Sequence, residues 1–512
     1  MDHSTDNKRI AKNTLMLYIR MLLIIGVTFF TFRILLQELG DAGYGTYNAV
    51  AGVIVLFSFL SSAMTTSTQR FFSYYLGRKE HEKLSDVYSM SINVHALICL
   101  VLLILAETIG LWFLNKYMRF PSQLYGEVNL LYQFTILSFL LQIMMVPYKA
   151  MIISHERMSF YAYFSIVESL LKLGAVLFLK LFHNNRLVIY GGALFVVTLL
   201  LGGIYHAYCK RSFNACQYRW SPDKVLFKEM TSFSGWNMLG GIGNVGASQG
   251  INMLFNIFCG VLVNAAMGIS NQISAGISGF VGNFQTAFNP QLIKSYAAGD
   301  YGYFNSLIFR CSRLSFLLIF IIGFPIIVCT PLVLRIWLGT YPEIAVPFTQ
   351  LTLIFCMIDA LSGPLWTAAQ ASGRIKTYMI IISLMIFSNV PAALLLLWLG
   401  LSPVSVLIYK VAMNLTIHIV RTIYLKYHIS FPAMDYYKKV MVRVGLFILM
   451  AAPVPVIYYH SHSGIIHDIL TVVISVLCSL IFGFWILLTK GERSVVCHKV
   501  VGLLNYRSGE KD

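Results

Sequence analysis

Among the charged side chains inside stretches that otherwise read as hydrocarbon, six stand out as candidates for a buried role. Arg20 and Arg33 fall in the run 13–37, Glu168 and Lys172 in 160–182, Asp359 in 346–370 and Lys410 in 402–425. An ionised side chain near a bilayer centre costs about 2.5–3.5 kcal/mol on insertion scales, so each of these should face protein or water. Cations outnumber anions among them. A fixed cationic surplus lowers the cost of carrying an anion through an apolar slab, and a guanidinium fork fits phosphate oxygens. The pattern predicts anion binding; a membrane enzyme would need a sizeable outer loop with clustered catalytic groups, and the sequence offers none.

Each charge also has a packing explanation. Arg20 and Arg33 are thirteen residues apart, about 220° around a helix, and cannot share one face. Arg20 lies about five residues, or about 7.5 Å, inside the inner membrane boundary and Arg33 about as close to the outer one, near enough for both to snorkel. Arg20 shares a stripe with Thr31, and Arg33 has Glu38 nearby. Glu168 and Lys172 are spaced i,i+4 and can neutralise each other. Asp359 has no cation along its own helix, which leaves a partner on another helix or a role in ion coupling, as for Glu168 if unpaired. Lys410 fits either substrate contact or packing.

Uncharged polar stripes add to the picture. Asn237, Gly241, Asn244, Ser248 and Asn252 fall within about 80° of arc, and Asn271, Ser278, Gly282, Gln285 and Asn289 within about 60°. Lipid cannot satisfy amides, so both stripes point inward. Asn237, Asn244, Asn252, Asn271 and Gln285 are candidates to bond sugar hydroxyls or phosphate oxygens; the competing reading is interhelical glue.

The elements that must hold these groups are membrane helices. Of 512 residues, 57% are hydrophobic and 12% charged, and runs of about 20 apolar residues, the length that spans a hydrocarbon core, recur along the chain. The predicted fold is all-α and polytopic. Fourteen helices are expected near 13–37, 46–68, 87–114, 127–152, 160–182, 188–209, 230–258, 263–289, 306–329, 346–370, 377–399, 402–425, 439–459 and 465–489. The prolines of "APVPV" at 451–455 should disturb the thirteenth. With the N-terminus inside, the outer loops hold only Lys116, Arg119, Lys180, Arg186 and Arg335, and the remaining loop cations fall on the cytoplasmic side. Both termini are then cytoplasmic, and the formal charge of +17 is mostly topogenic rather than a nucleic-acid footprint. No cofactor motif is present. The nine cysteines are scattered without metal-ligand spacing, and the histidines of "HSHSGIIHD" at 460–468 read as a hydrated loop.

The two halves echo each other. "LGDAGYGTYN" and "TQRFFSYYLGRKE" in the first half occupy the places of "CGVLVNAAMG" and "NPQLIKSYAAGD" in the second. Gly40 maps onto Gly260, and Ser73, Tyr74 and Gly77 onto Ser295, Tyr296 and Gly299, at offsets of 220 to 222. Six helices separate the repeats, so they are parallel. The expected organisation is a tail (1–12), an N-lobe (13–209), an inner-face linker (210–229), a C-lobe (230–425), two further helices (426–489) and a cytoplasmic tail (490–512).

"NTLMLYIRMLL", "LGDAGYGTYNAVAGVIVLFSFL" and "TQRFFSYYLG", with "FSGWNMLGGIGNVGASQGINMLFNIFCG", "VNAAMGISNQI" and "FNPQLIKSYAAGD", resemble bacterial oligosaccharide flippases of the polysaccharide-transporter type. These belong to the superfamily that also holds multidrug MATE exporters and the lipid II flippase. The resemblance covers residues 13–85 and 231–310. It implies a non-enzymatic transporter of the bacterial inner membrane. Such a protein moves undecaprenyl-diphosphate-linked oligosaccharide to the outer leaflet, by alternating access through a cationic cavity between the lobes. Its implied partners are the lipid-linked substrate, membrane lipids and polymerase or glycosyltransferase machinery. The candidate substrate-binding set is Arg20, Thr31, Arg33, Lys172, Asn237, Asn244, Asn252, Asn271, Gln285 and Lys410, with Glu168 and Asp359 for ion coupling. A MATE-type exporter is the alternative, and it should carry acidic rather than basic residues on its path.

Overall fold

In the computed structural model the described residues lie within 13–494, leaving out 29, 32–33, 36, 40–45, 48–49, 51–57, 117–124, 183, 221–222, 260 and 462–463. No strand occurs among them. Helices follow in the order α1 (Asn13–Thr28), α2 (Ser58–Gly77), α3 (Glu82–Lys116), α4 (Gly126–Ser154), α5 (Met158–Leu181), α6 (Arg186–Ser212) and α7 (Lys224–Cys259). Then come α8 (Val261–Ala297), α9 (Tyr301–Val328), α10 (Ala345–Ala371), α11 (Lys376–Trp398), α12 (Pro403–Ile429), α13 (Ala433–Ser461) and α14 (Ile465–Leu487). Among the described residues ten of these, α3–α6 and α9–α14, are long and apolar enough to cross a membrane. The protein is an all-helical, multi-pass membrane protein.

The packing is that of a chain solvated by lipid. Ile466, Ile469, Val473, Leu477 and Leu480 of α14 are exposed, whereas Thr471, Ser475 and Ser479 are buried. These small residues recur every fourth position and let α14 approach α9 closely, so that Gly483 leaves no room for a side chain beside Leu317. Their hydroxyls return to the helix: Thr471 donates to the His467 carbonyl at 2.9 Å, Ser475 to Thr471 at 2.7 Å and Ser479 to Ser475 at 2.6 Å. No polar atom of the stripe then depends on lipid for a partner.

Several helices run past their apolar stretches. α2 extends to Gly77 and α8 to Ala297, eight or more residues beyond the expected ends at 68 and 289. Both continue because their polar tails are packed by protein. Arg70 is buried among the rings of Phe71, Tyr74 and Phe233, with its guanidinium carbon 4.7–5.1 Å from their centroids. Pro290 stays inside α8, as a packed bundle allows. α7 begins at Lys224, within the expected linker, because Asp223 caps it: its carboxylate accepts from the amides of Val225 (2.8 Å) and Leu226 (3.0 Å). The rest of the linker is anchored to α3 through Arg219 N–H to Ser89 Oγ (3.0 Å) and Tyr218 Oη to Asn93 (2.9 Å). α13 is interrupted at Ala452, where Pro453 starts a second helical piece.

Among the described residues three π turns widen the helices, at Ala106–Gly110 in α3, Tyr437–Met441 in α13 and Gly483–Leu487 in α14. In α3 the disturbed ladder is completed from outside: Tyr132 Oη donates to the Ala106 carbonyl at 2.8 Å.

The repeat has a defined register. α2 and α8 end with the same hydrogen-bonded cap. Lys79 (φ 60°) and Gly299 (φ 77°) take the left-handed position, with N–H groups bonded to Leu76 and Tyr296. Glu80 and Asp300 then bond back to Tyr75 and Ser295. The caps are 220 residues apart, so Lys79, not Gly77, is the counterpart of Gly299. The SYxxG match at an offset of 222 is two residues out of structural register. Gly40 and Gly260 lie outside the described residues. A second equivalence joins the turns after α4 and α10, where Glu156 (φ 60°) and Gly373 (φ 74°) are both left-handed.

By proximity the chain forms two compact units. The first comprises Met1–Val245, Thr286–Asp300 and Gly373–Ile380; the second comprises Gly246–Gln285, Tyr301–Ser372 and Ile381–Asp512. The first unit therefore contains segments of both sequence halves. Its core includes Leu17, Ile153, Met158 and Ala287. The second is centred on Phe255, Met267, Phe348 and Ala393.

Two features of the first unit are directly testable. A Cβ on Gly77 would come within 2.6 Å of the Lys294 carbonyl oxygen and 2.7 Å of its Cα. Gly77→Val should therefore push α2 from α8 and cost about 1–3 kcal/mol, lowering the melting temperature in detergent. Gly126→Ala, with open space around it, should not; equal melting of the two variants would contradict the close approach. His155, between α4 and α5, stacks on Phe213 at 4.3 Å and faces the Met151 carbonyl at 3.0 Å. Burial, with Lys294 and Arg157 nearby, lowers its pKa from 6.5 to about 4. The unfolded chain binds this proton below about pH 6.5 while the folded chain refuses it until about 4, so stability falls as pH drops through that window. His155→Phe keeps the stacked ring and should flatten the pH dependence of melting between pH 6.5 and 4.

Candidate functional site

The first unit gathers three cations around one carboxylate. Leu17 anchors α1 against Ile153 and Met158, and Arg20, three residues on, carries its guanidinium over the Tyr161 ring at 4.6 Å. Its Nε is buried with no hydrogen-bond partner among the described residues. Glu168 and Lys172 form the i,i+4 pair at 2.7 Å. Lys149 of α4 joins them, its Nζ 5.4 Å from the Tyr205 ring centroid. Glu168 lies within electrostatic reach of Lys172, Lys149 and Arg20 together. One carboxylate cannot neutralise three cations, so the cluster keeps a surplus of about two charges.

The sequence singled out Arg20, Lys172 and Glu168 but counted Lys149 as a loop cation. The clue was its flanks: "MMVPYKAMIIS" is apolar on both sides of the lysine. Arg33 lies outside the described residues. Glu38, its suggested partner, meets Arg186, at 3.3 Å through the carboxylate and 2.7 Å through its backbone carbonyl.

In the second unit Lys410 sits over the Phe355 ring at 4.7 Å, within reach of Cys356 and Asp359. Asp359 thus has a cation near it on another helix. Asn414 fixes the same turn of α10 by donating to the Phe355 carbonyl at 3.1 Å.

The amide stripes divide between the two readings. Gln285 donates to the Ala360 carbonyl at 3.4 Å, and Gly363 makes room for it; it joins α8 to α10. Asn237 is buried and bonds the Phe233 carbonyl of its own helix at 3.2 Å; Asn244 is exposed and does the same with Gly240 at 3.1 Å. Thr31 likewise bonds Val27 at 2.8 Å. Asn252 differs: its Oδ1 is buried with no partner among the described residues. Asn271 is part-exposed, and its backbone carbonyl accepts from Ser274 at 3.0 Å.

A second arrangement, which sequence reasoning missed, joins the two repeats inside the first unit. Glu156, in the turn after α4, is buried and paired with Lys294 Nζ of α8 at 2.5 Å and with Gln291 Nε2 at 2.8 Å. At the equivalent turn after α10, Arg70 of α2 rests where a side chain on Gly373 would be. Each repeat's second helix thus reaches the left-handed turn of the other repeat. Ser234 Oγ donates to Ser67 Oγ at 2.8 Å, tying α7 to α2 beside Arg70. Arg70 and Lys294 are among the cations that the sequence places in cytoplasmic loops. Among the described residues no group of acids, histidines and cysteines could hold a metal ion.

Comparison with known proteins gives this arrangement a family. No curated protein sequence matches the chain significantly. Solved structures match at the level of the fold. An outward-facing multidrug resistance MATE family transporter of the MOP superfamily superposes with a TM-score of 0.71 at 13% identity, over 82% of this chain and 96% of that one. A MOP superfamily transporter from Pyrococcus furiosus, described as having a binding pocket of reversed polarity that suggests a different function, gives 0.69 at 13% identity over the same shares. The MATE transporter ClbM in complex with Rb+ gives 0.67 at 14%, over 80% and 94%. The chain has the fold of these transporters, and the model of the polysaccharide biosynthesis protein family matches residues 10–298, more than half of its length; the protein is a member of that family.

Proposed function

We propose that the protein is a flippase of the cytoplasmic membrane for lipid-linked oligosaccharide, carrying an undecaprenyl-diphosphate-linked glycan from the inner to the outer leaflet for surface polysaccharide biosynthesis. The observation that carries this reading is the surplus of positive charge around Glu168, built from Arg20, Lys149 and Lys172 on three helices of an apolar unit. An isolated cation surplus in lipid is costly. A passenger diphosphate offsets it, and the orphaned Arg20 Nε offers a donor for a phosphate oxygen. The prenyl tail stays in lipid, so only the headgroup needs a polar path. Arg33, Asn252 and Asn271 are further candidates to line that path, and polysaccharide-assembling enzymes are the natural partners on either side. A cation-coupled exporter would need free acids, and here Glu168 and Asp359 each have cations close by.

Alternating access through lobes 13–209 and 230–425 requires that contacts between the repeats open during the cycle. The Glu156–Lys294–Gln291 and Arg70–Gly373 contacts join the halves near the basic loops, and they close the cytoplasmic end in this reading.

Loss of the gene should leave lipid-linked repeat units accumulated on the inner leaflet. Complementation with Lys149→Gln or Arg20→Ala should restore tenfold less export or worse, since a charge-assisted hydrogen bond is worth about 1.5–3 kcal/mol. Wild-type export by Lys149→Gln, Arg20→Ala and Arg33→Ala alike would overturn the cationic site. The opening step has its own test. Cysteines placed together at Ser67 and Ser234 should cross-link under oxidant and stop export, and reductant should restore it. Export that continues through the cross-linked protein would show that this contact does not open.

A further inference from the structure

A second concentration of positive charge lies in the second unit. Arg310 and Arg313, one turn apart on α9, both pair with Glu492: Arg310 Nε at 3.1 Å and Arg313 at 3.4 Å. Arg443 of α13 is within electrostatic reach of Arg313. Arg313 is 5% exposed, and its Nε is buried without a hydrogen-bond partner among the described residues. Glu492 is held in place by its own helix start: it accepts from the Thr489 amide at 2.7 Å, and its amide donates to Thr489 Oγ1 at 3.4 Å. One carboxylate pairs with two guanidinium groups, and a third lies within electrostatic reach of Arg313, so this cluster too retains a cationic surplus.

Its surroundings are those of a headgroup-depth site. Arg493, next to Glu492, lies over the exposed Trp485 ring at 5.4 Å, a pairing suited to the membrane–water boundary. Beside Arg443 on α13, Val442, Leu446 and Leu449 are exposed and present an apolar wall running into the hydrocarbon. Basic pockets between membrane helices on the cytoplasmic side bind lipid phosphates.

We infer that Arg310, Arg313 and Arg443 form a site for the phosphate of an anionic membrane lipid, with Glu492 as a built-in competitor and the α13 wall receiving the acyl chains. The site shares no residue with the Glu168 cluster, and its test reads binding rather than export.

The full-length protein in detergent is titrated with phosphatidylglycerol, phosphatidylcholine or inorganic phosphate, and retained molecules are counted by native mass spectrometry. Phosphatidylglycerol should be retained in preference to phosphatidylcholine. Arg443→Gln, which leaves both Glu492 ion pairs intact, should weaken that retention about fivefold, the effect of one interfacial cation. Glu492→Gln should strengthen it by freeing Arg310 and Arg313. Equal retention of the two lipids, or phosphatidylglycerol retention unchanged by Arg443→Gln, overturns the proposal. Phosphate binding that saturates without displacing lipid overturns it in favour of a soluble anion.

Discussion

Charge in a medium that cannot solvate it is the constraint on which this structure depends. Among the described residues several cations within the helices rest on aromatic rings. Arg20 lies on Tyr161, Lys149 on Tyr205, Lys410 on Phe355, and Arg70 among three aromatic rings. These are cation–π contacts, which strengthen as water is withdrawn. They hold a cation in place without cancelling its charge, whereas a carboxylate would neutralise it. A helix bundle that keeps its cations on rings retains positive potential for something that arrives later.

The carboxylates are fewer and are placed as organisers. Glu168 gathers Lys172, Lys149 and Arg20, Glu156 gathers Lys294 and Gln291, and Glu492 gathers two arginines. Each joins elements far apart in sequence. Removing the acid from such a group leaves buried cations facing one another, which is more damaging than losing a surface ion pair. The repeat architecture makes two of these contacts related. Glu156 and Gly373 occupy equivalent left-handed turns, and each is met by the second helix of the other repeat. One uses an ion pair; the other uses a glycine that lets an arginine approach.

Much of this was legible in the sequence. Apolar runs of membrane-spanning length located the helices, and the i,i+4 spacing of Glu168 and Lys172 announced their pairing. Helix ends were less legible. Hydropathy reports where lipid begins, not where protein packing allows a polar helix to continue, so the tails of α2 and α8 were read as loops. For the same reason Lys149, Arg70 and Lys294 were counted toward topology. The amide stripes show a different limit. Their angular alignment was readable, but Asn237 and Asn244 bond the carbonyls four residues back, and periodicity cannot distinguish a self-satisfied amide from one turned toward a neighbour.

The π turns carry a consequence of another kind. A π turn is an α-helix with one residue too many, and the surplus is absorbed locally instead of rotating everything that follows by about 100°. In α3 the Tyr132 hydroxyl at the Ala106 carbonyl holds that surplus in place. The described residues therefore contain three positions, at 106–110, 437–441 and 483–487, where length and helical phase are decoupled. Single-residue deletions should be tolerated there by relaxation to ordinary α-helix, while the same deletion a turn or two away would turn the lipid-facing surface of the helix toward its neighbours.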